Sequence, residues 1–337
     1  MQGAIVIAGS ESRVEGNERL TSCGPFPRER RERFLAGVEL LGQSVFGRVV
    51  QQLSHAALDS MSVFVDSSLA LELDDAPEIG ASTPDVWRAA ARSLVTAKEA
   101  GIDAVLLVQA GAYVEFDPAD LVRFHRECAN VITRACDERG FLDLWVVDPA
   151  IVQQNIDLQS SLQTAGEPYY QVSGYVNRME TLRDMRQLAA DGLSSRCRFR
   201  PQGVEVRPGV WMAQGAEVER GARIVAPAFL GRDVKISEQC LITRCSNVES
   251  NSHVDYGTVV EDSSILRGTY VGIGLDLSHC IAGGTCLVNL NREVALEIKD
   301  PVVMRQVRQN KPRGEGNRQL PSNFRHGEAV LSVADES

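Results

Sequence analysis

Counting in sixes from Val206 meets an apolar residue every time: Val206, Met212, Val218, Ile224, Leu230, Ile236, Ile242, Val248, Val254, Val260 and Leu266. Hydrophobic residues make up 44% of the chain, so eleven successive hits have a chance probability on the order of one in ten thousand. A second series runs Val210, Ala216, Ala222, Ala228, Val234, Cys240, Ser246, Ser252, Thr258 and Ser264, all small or β-branched. Gly209, Gly215, Gly221, Gly231 and Gly257 fall near the expected bends. This is the pattern of a parallel β-helix. A large aliphatic residue points inward from each short strand, and a small one is needed where the chain turns the corner of a narrow prism. Each coil buries its apolar edge only by stacking on the next. Three hexapeptides per coil give about four coils. The register is expected to slip after Leu266, with Val271 and Leu277 continuing in a shifted phase. Residues 286–300 alternate and are expected to cap the end.

The first half reads differently. Short apolar runs at residues 4–9, 62–67, 104–109 and 144–148 are separated by helical patterns at 34–53, from Thr83-Pro84 to about residue 100, and from Asp117-Pro118 to about residue 139. A further helix is expected over 179–192. Strand–helix alternation predicts an α/β domain: a mostly parallel, Rossmann-like sheet with helices on both faces. Ligands bind such sheets at the carboxyl ends of the strands, which points to residues 9–13, 66–68 and 109–113. The expected organisation is an α/β domain over 1–198, a hexapeptide domain over 199–300, and a polar, disordered tail over 301–337.

Composition narrows the partners. A net charge of -10 argues against nucleic acid or an anionic membrane. No apolar run approaches the ~20 residues of a membrane-spanning helix. The first residues lack the basic and apolar regions of a signal peptide, so a cytoplasmic protein is expected. The eight cysteines include no C-x-x-C pair and read as reduced core thiols. Only four lysines occur, at 98, 235, 299 and 311.

An α/β domain opening with AIVIAG, followed by a hexapeptide β-helix, resembles the sugar-1-phosphate nucleotidyltransferases, the nucleotide-sugar pyrophosphorylases. LLGQSVFGRVVQQL (residues 40–53) is similar to the segment after their first strand. VLLVQAGAYVEFDPADLVRFHRE (residues 105–127) is similar to their strand, metal loop and following helix. The resemblance implies a left-handed β-helix and side-by-side association into a homo-oligomer. It also implies a nucleotide or nucleotide-sugar ligand, with nucleotide-binding residues at Gly9, Ser10, Glu11, Ser12, Arg13 and Gly111. In the family, a sugar 1-phosphate attacks a nucleoside triphosphate and pyrophosphate leaves. Charge neutralisation and positioning do most of that work, with Mg²⁺ held by carboxylates.

The sequence departs from that pattern. The glycine-rich loop is Gly9-Ser10-Glu11-Ser12-Arg13, with one glycine left and a carboxylate where triphosphate should lie. The lysine after a proline becomes Arg28, which keeps charge but not point-charge geometry. The metal aspartate position falls at Gly111-Ala112. No lysine lies between 98 and 235 to match the second family lysine. The expectation is a catalytically degenerate, binding or regulatory relative acting in sugar-nucleotide or polysaccharide metabolism. No metal is assigned to it, and Mg²⁺ enters only if nucleotidyl transfer survives. Two alternatives stay open. One is active nucleotidyl transfer leaning on Arg13 and Arg28. The other is acyl transfer on the β-helix, with His253 or His279 taking a proton and Asp255, Glu261 or Asp262 orienting it. His125 is expected on a helix surface, and Trp145, Tyr169 and Tyr170 in packing roles.

Overall fold

The computed structural model describes residues 2–8, 14–15, 32–33, 35–56, 58–67, 81–154 and 157–307. Seven strands form one sheet in the α/β unit: β1 (Gln2–Ala8), β2 (Ser60–Asp66), β3 (Ala81–Thr83), β4 (Ala104–Gln109), β5 (Ile132–Asp137), β6 (Gly140–Val147) and β7 (Tyr170–Gln171). Their spatial order is β7-β5-β6-β4-β1-β2-β3. β1 pairs in parallel with β2 and β4, β2 with β3, and β5 with β7. β6 is antiparallel to both β4 and β5. Side chains alternate across β1. Ala4, Val6 and Ala8 join one core with Phe46, Leu121 and Leu188, while Ile5 and Ile7 join the other with Leu94, Trp145 and Leu162. Burial on both faces is why these strands read as unbroken apolar runs. The helices covering them are α1 (Val45–Ser54), α2 (Val86–Glu99), α3 (Pro118–Glu127), α4 (Leu158–Gln163) and α5 (Leu182–Leu193).

Four local expectations change. The helix expected over 34–53 is a short 3-10 turn (Leu35–Gly37), a hairpin (Glu39–Leu40 with Gln43–Ser44) and then α1, which Ser44 caps through Gly47 N. α2 is capped by Asp85, not by Thr83. α3 is capped by Asp117 as expected but stops at Glu127. The chain turns through Ala129 at a positive φ of 51°, and residues expected to extend the helix become β5. α5 starts three residues later than the pattern suggested, where Thr181 and Asp184 form a capping box.

The second half is a β-helix-like stack of parallel strands on three sheets. Partners lie 18 residues apart at first: Val210, Ala228 and Ser246 on one face, Glu217, Lys235 and His253 on the next, Arg223, Leu241 and Val259 on the third. The interval then falls to 17, with Asn247 beside Ser264 and Val259 beside Asp276. The missing residue therefore falls between Val260 and Ile265, ahead of the expected slip. Ile265 is the inward side chain, and Leu266 faces out into the α/β core. Val206 is not in a coil; its strand, Val204–Arg207, runs antiparallel to Val210–Met212 and is exposed. Cys286–Asn289 and Val294–Glu297 add antiparallel strands at the far end, as the alternation suggested. Residues 301–307, assigned to the tail by composition, return as a strand (Met304–Gln306) against Thr269–Val271. Residues 308–337 lie outside the described residues.

The corner series does more than save space. Ser246, Ser252 and Thr258 of that series, and Ser263 in place of the expected Ser264 once the interval contracts, each donate a hydroxyl to the carbonyl 14 residues on: Val260, Leu266, Gly272 and Leu277. Each also accepts the N–H 17 residues on: Ser263, Thr269, Leu275 and Cys280. A buried hydroxyl thus satisfies two backbone groups that the turn strips from the ladders. Thr258→Val keeps the shape and strands Gly272 O and Leu275 N. At ~1–3 kcal/mol for each buried unsatisfied group, urea unfolding is expected to show a loss of about 3 kcal/mol.

The two halves meet around the Glu39–Ser44 hairpin. Its central residues, Leu41 and Gly42, both have positive φ, 52° and 87°. That is the geometry tight hairpins favour, with a leucine at an unfavourable position. Their N–H groups donate to one carboxylate, Leu41 N to Glu249 Oε1 (2.8 Å) and Gly42 N to Glu249 Oε2 (2.9 Å). Asn247 Nδ2 adds a bond of 2.6 Å. Glu39 reciprocates by accepting Ser250 N (3.0 Å). Arg48 Nη2 holds the Leu41 carbonyl (3.0 Å), with the guanidinium 4.1 Å from the Phe199 ring centroid.

Candidate functional site

β1 is flanked by β2 on one side and β4 on the other, so the chain reverses direction across the sheet there. Such a switch point opens a crevice at the carboxyl ends of the strands. A cleft of ≈ 270 Å³ lies next to that point, on the β6 side of β4, lined by Gln109, Ala110, Gly111 and Ala112 from the end of β4 and by Phe141, Leu142, Asp143 and Leu144 of β6. Ala110 N donates to Ile7 O (2.7 Å), which ties this edge to β1. The apolar wall comes from Val49, Val108, Val114, Phe116 and Leu144, with Asp143, Arg178 and Glu180 as its charged groups. A Cβ on Gly111 would meet nothing within 4 Å, so the missing side chain leaves open space over the strand end.

The cleft floor is held by a close backbone approach. Val176–Asn177 pairs with Tyr113–Val114, and Glu115 N donates to Tyr175 O (2.8 Å). A side chain on Gly174 would overlap the Glu115 carbonyl. Arg178, on the cleft wall, is fixed by Asp137 (Nη2 2.5 Å) and by the carbonyls of Phe141 (3.1 Å) and Gly140 (3.0 Å). The hydrogen bond to Asp137 holds its pKa above the ordinary arginine value. It is a permanent positive charge beside the cleft.

Mg²⁺, which the family resemblance implies, finds a poor donor set. Gly111-Ala112 carries no oxygen-bearing side chain. Asp143 is paired with Arg134 (3.3 Å) and Glu180 with Arg139 (3.0 Å). Carboxylates engaged by guanidinium groups do not offer the free oxygens that Mg²⁺ takes. The described residues therefore do not fit that ion, and no step is derived through it.

Of the expected nucleotide-binding residues, Gly111 lines the cleft; Gly9, Ser10, Glu11, Ser12, Arg13 and also Arg28 lie outside the described residues. Asp66 ends β2, and Ser68 is outside the described residues. His253 is half-buried, with Nε2 3.1 Å from Ser237 Oγ and its ring edge-on to Tyr270. His279 Nδ1 lies 2.6 Å from Asp262 Oδ2, which orients its ring as a proton-accepting pair requires. His125 is not on the surface: it is buried on α3, 2.8 Å from Thr133 Oγ1. Burial holds its pKa below the ordinary histidine value. Trp145 is a core residue, donating to Leu162 O. The seven cysteines among the described residues are all free thiols.

Arg178 and Glu180 escaped the sequence reading, and the spacing of Asp143 did not mark it as a site residue. They arrive at the cleft from β6 and the turn before α5, and no local spacing relates them to Gly111. No protein-family model matches the chain, and no curated protein matches it. Among the described residues no helix is long and apolar enough to cross a membrane.

Proposed function

We propose that this chain is a nucleotide-sugar pyrophosphorylase-like protein that works by binding rather than turnover. Its ligand is a nucleotide or nucleotide-sugar held in the cleft at the carboxyl end of β4. The observation that carries the reading is the cleft's position: it sits at the carboxyl end of β4, next to the switch point of a mostly parallel sheet, beside a glycine with open space above it. The apolar wall suits a flat base or a sugar face. The hexapeptide stack is read as a left-handed β-helix through which copies associate. The carboxylates around the cleft, already engaged by arginines, favour binding over metal-assisted phosphoryl chemistry.

Thermal unfolding tests this with nucleoside triphosphates and nucleotide-sugars, each with and without Mg²⁺. A ligand at about 100 times its Kd is expected to add ~2.7 kcal/mol of stability, equally with and without the metal, and no pyrophosphate is released. Mg²⁺-dependent stabilisation with pyrophosphate release would replace this reading with active nucleotidyl transfer.

A further inference from the structure

The inward columns of the β-helix-like stack are closed at one end and open at the other. On the second face the column runs Val218, Ile236, Val254, Val271 and Met304. The last four are buried, and Met304 belongs to the returning strand that closes the column. Val218, at the start, points inward in register with the rest, yet is 37% exposed. On the first face the column starts at Val204, which pairs with Met212 and is 69% exposed. Val206 on the same strand is exposed as well. The third column starts at Ile224, which is buried and whose carbonyl accepts from Arg207 Nη2 (3.1 Å).

The backbone is open at this end too. Glu217–Val218 and Arg223–Ile224 are the outermost strands of their sheets. Glu217 N and Glu219 N donate to Val234 O and Ile236 O, so the Val218 amide between them faces away from the stack. An apolar column behind an uncovered strand edge is what a terminal repeat has to hide. The antiparallel strands over 286–297 and 304–306 hide it at the far end. Among the described residues nothing does so at Val218.

Charge on the first coil suits a copy of the same surface. Glu205, Glu217 and Glu219 are balanced by Arg207, Arg220 and Arg223, all exposed. The end is neutral in a chain whose net charge is -10. A two-fold contact sets a patch against itself, which a patch of one sign resists and a mixed one does not. A second copy also brings the same open columns, so one contact closes both. The last segment of the chain itself starts from the wrong end. Val307, which donates to Gly268 O, lies beside the closing strand, four strands from Val218.

We propose that two copies of this chain associate end to end through the first coil, about a two-fold axis. Val204, Val206 and Val218 of one copy meet those of the other. The proposal rests on the association of copies read above, and moves it from the side of the stack to its open end. It stands whether or not a nucleotide binds the α/β cleft.

Sedimentation of the full chain across a micromolar dilution series tests this. A reversible monomer–dimer equilibrium is expected, with exchange of the Val218 amide slowing as dimer forms. Val204→Asp places a charge on each side of the contact and is expected to raise the dimer Kd about tenfold or more. Its unfolding temperature is expected to stay that of the wild-type monomer, because the side chain is already exposed. Val302→Asp, at an exposed position of the closed end, is expected to leave the Kd unchanged. A dimer untouched by Val204→Asp would keep association and overturn the end-on contact. A wild type that stays monomeric would overturn both, and slow Val218 exchange in that monomer would assign the cover to another segment of the same chain.

Discussion

Glu249→Ala is expected to cost at least about 3 kcal/mol at neutral pH, by urea or thermal unfolding. The carboxyl group is fully buried and serves three donors: Leu41 N, Gly42 N and Asn247 Nδ2. Removing it leaves buried donors unsatisfied at ~1–3 kcal/mol each. It also frees a hairpin in which Leu41 holds a positive φ. The effect carries a pH signature. Burial, together with the nearby Glu39 carboxylate, raises Glu249 from the ordinary 4.5 to about 8. A folded-state pKa raised above the unfolded value gives stability that is full below about 4.5 and lost as pH rises through 8. The wild type should therefore weaken across that window, by at most ~1.4 kcal/mol per pH unit from this group. Glu249→Ala should lose that slope, so the gap between the two proteins narrows on the alkaline side. A gap that stays constant from pH 5 to 9 (roughly the window set by those two values) would show that Glu249 is ionised throughout.

Gly174→Ala is expected to be nearly as damaging, although it adds one methyl. The added Cβ overlaps the Glu115 carbonyl oxygen where the Val176–Asn177 strand crosses Tyr113–Val114. Backbone cannot yield as a flexible side chain can, and overpacking of this kind costs about 3 kcal/mol. Because Val114 and Phe116 line the α/β cleft, the displacement should also weaken any ligand there. Gly111→Ala is the control, since its Cβ enters open space and stability should hold within ~0.5 kcal/mol. Equal stability of the two variants, read by thermal unfolding, would contradict the packing drawn for this turn.

The repeat was legible because each coil is built locally, from side-chain size at fixed spacing. The one-residue contraction was misplaced because Ile265 and Leu266 are both apolar, and only the pairing shows which one turns inward. The end of α3 was misread because Ala129 takes a positive φ that alanine does not advertise. Gly111 was reachable from the rule that ligands meet strand ends, and the His279–Asp262 pair from the coil length once that is known. The Glu249 anchor was not reachable. It joins residues 208 positions apart, and a glutamate in a repeat reads as solvated until the neighbouring unit is seen to cover it.

If the β4 cleft holds a nucleotide or nucleotide-sugar, a bulky side chain at Gly111 must abolish binding. Isothermal titration of nucleoside diphosphate sugars into wild type and Gly111→Phe tests it, because Gly111 lines the cleft and its Cβ direction is open to a bulky side chain. Saturable binding to the wild type, absent in a variant that unfolds at the wild-type temperature, is the expected result. Equal binding by both proteins, or no binding by the wild type to any member of the panel, would contradict it.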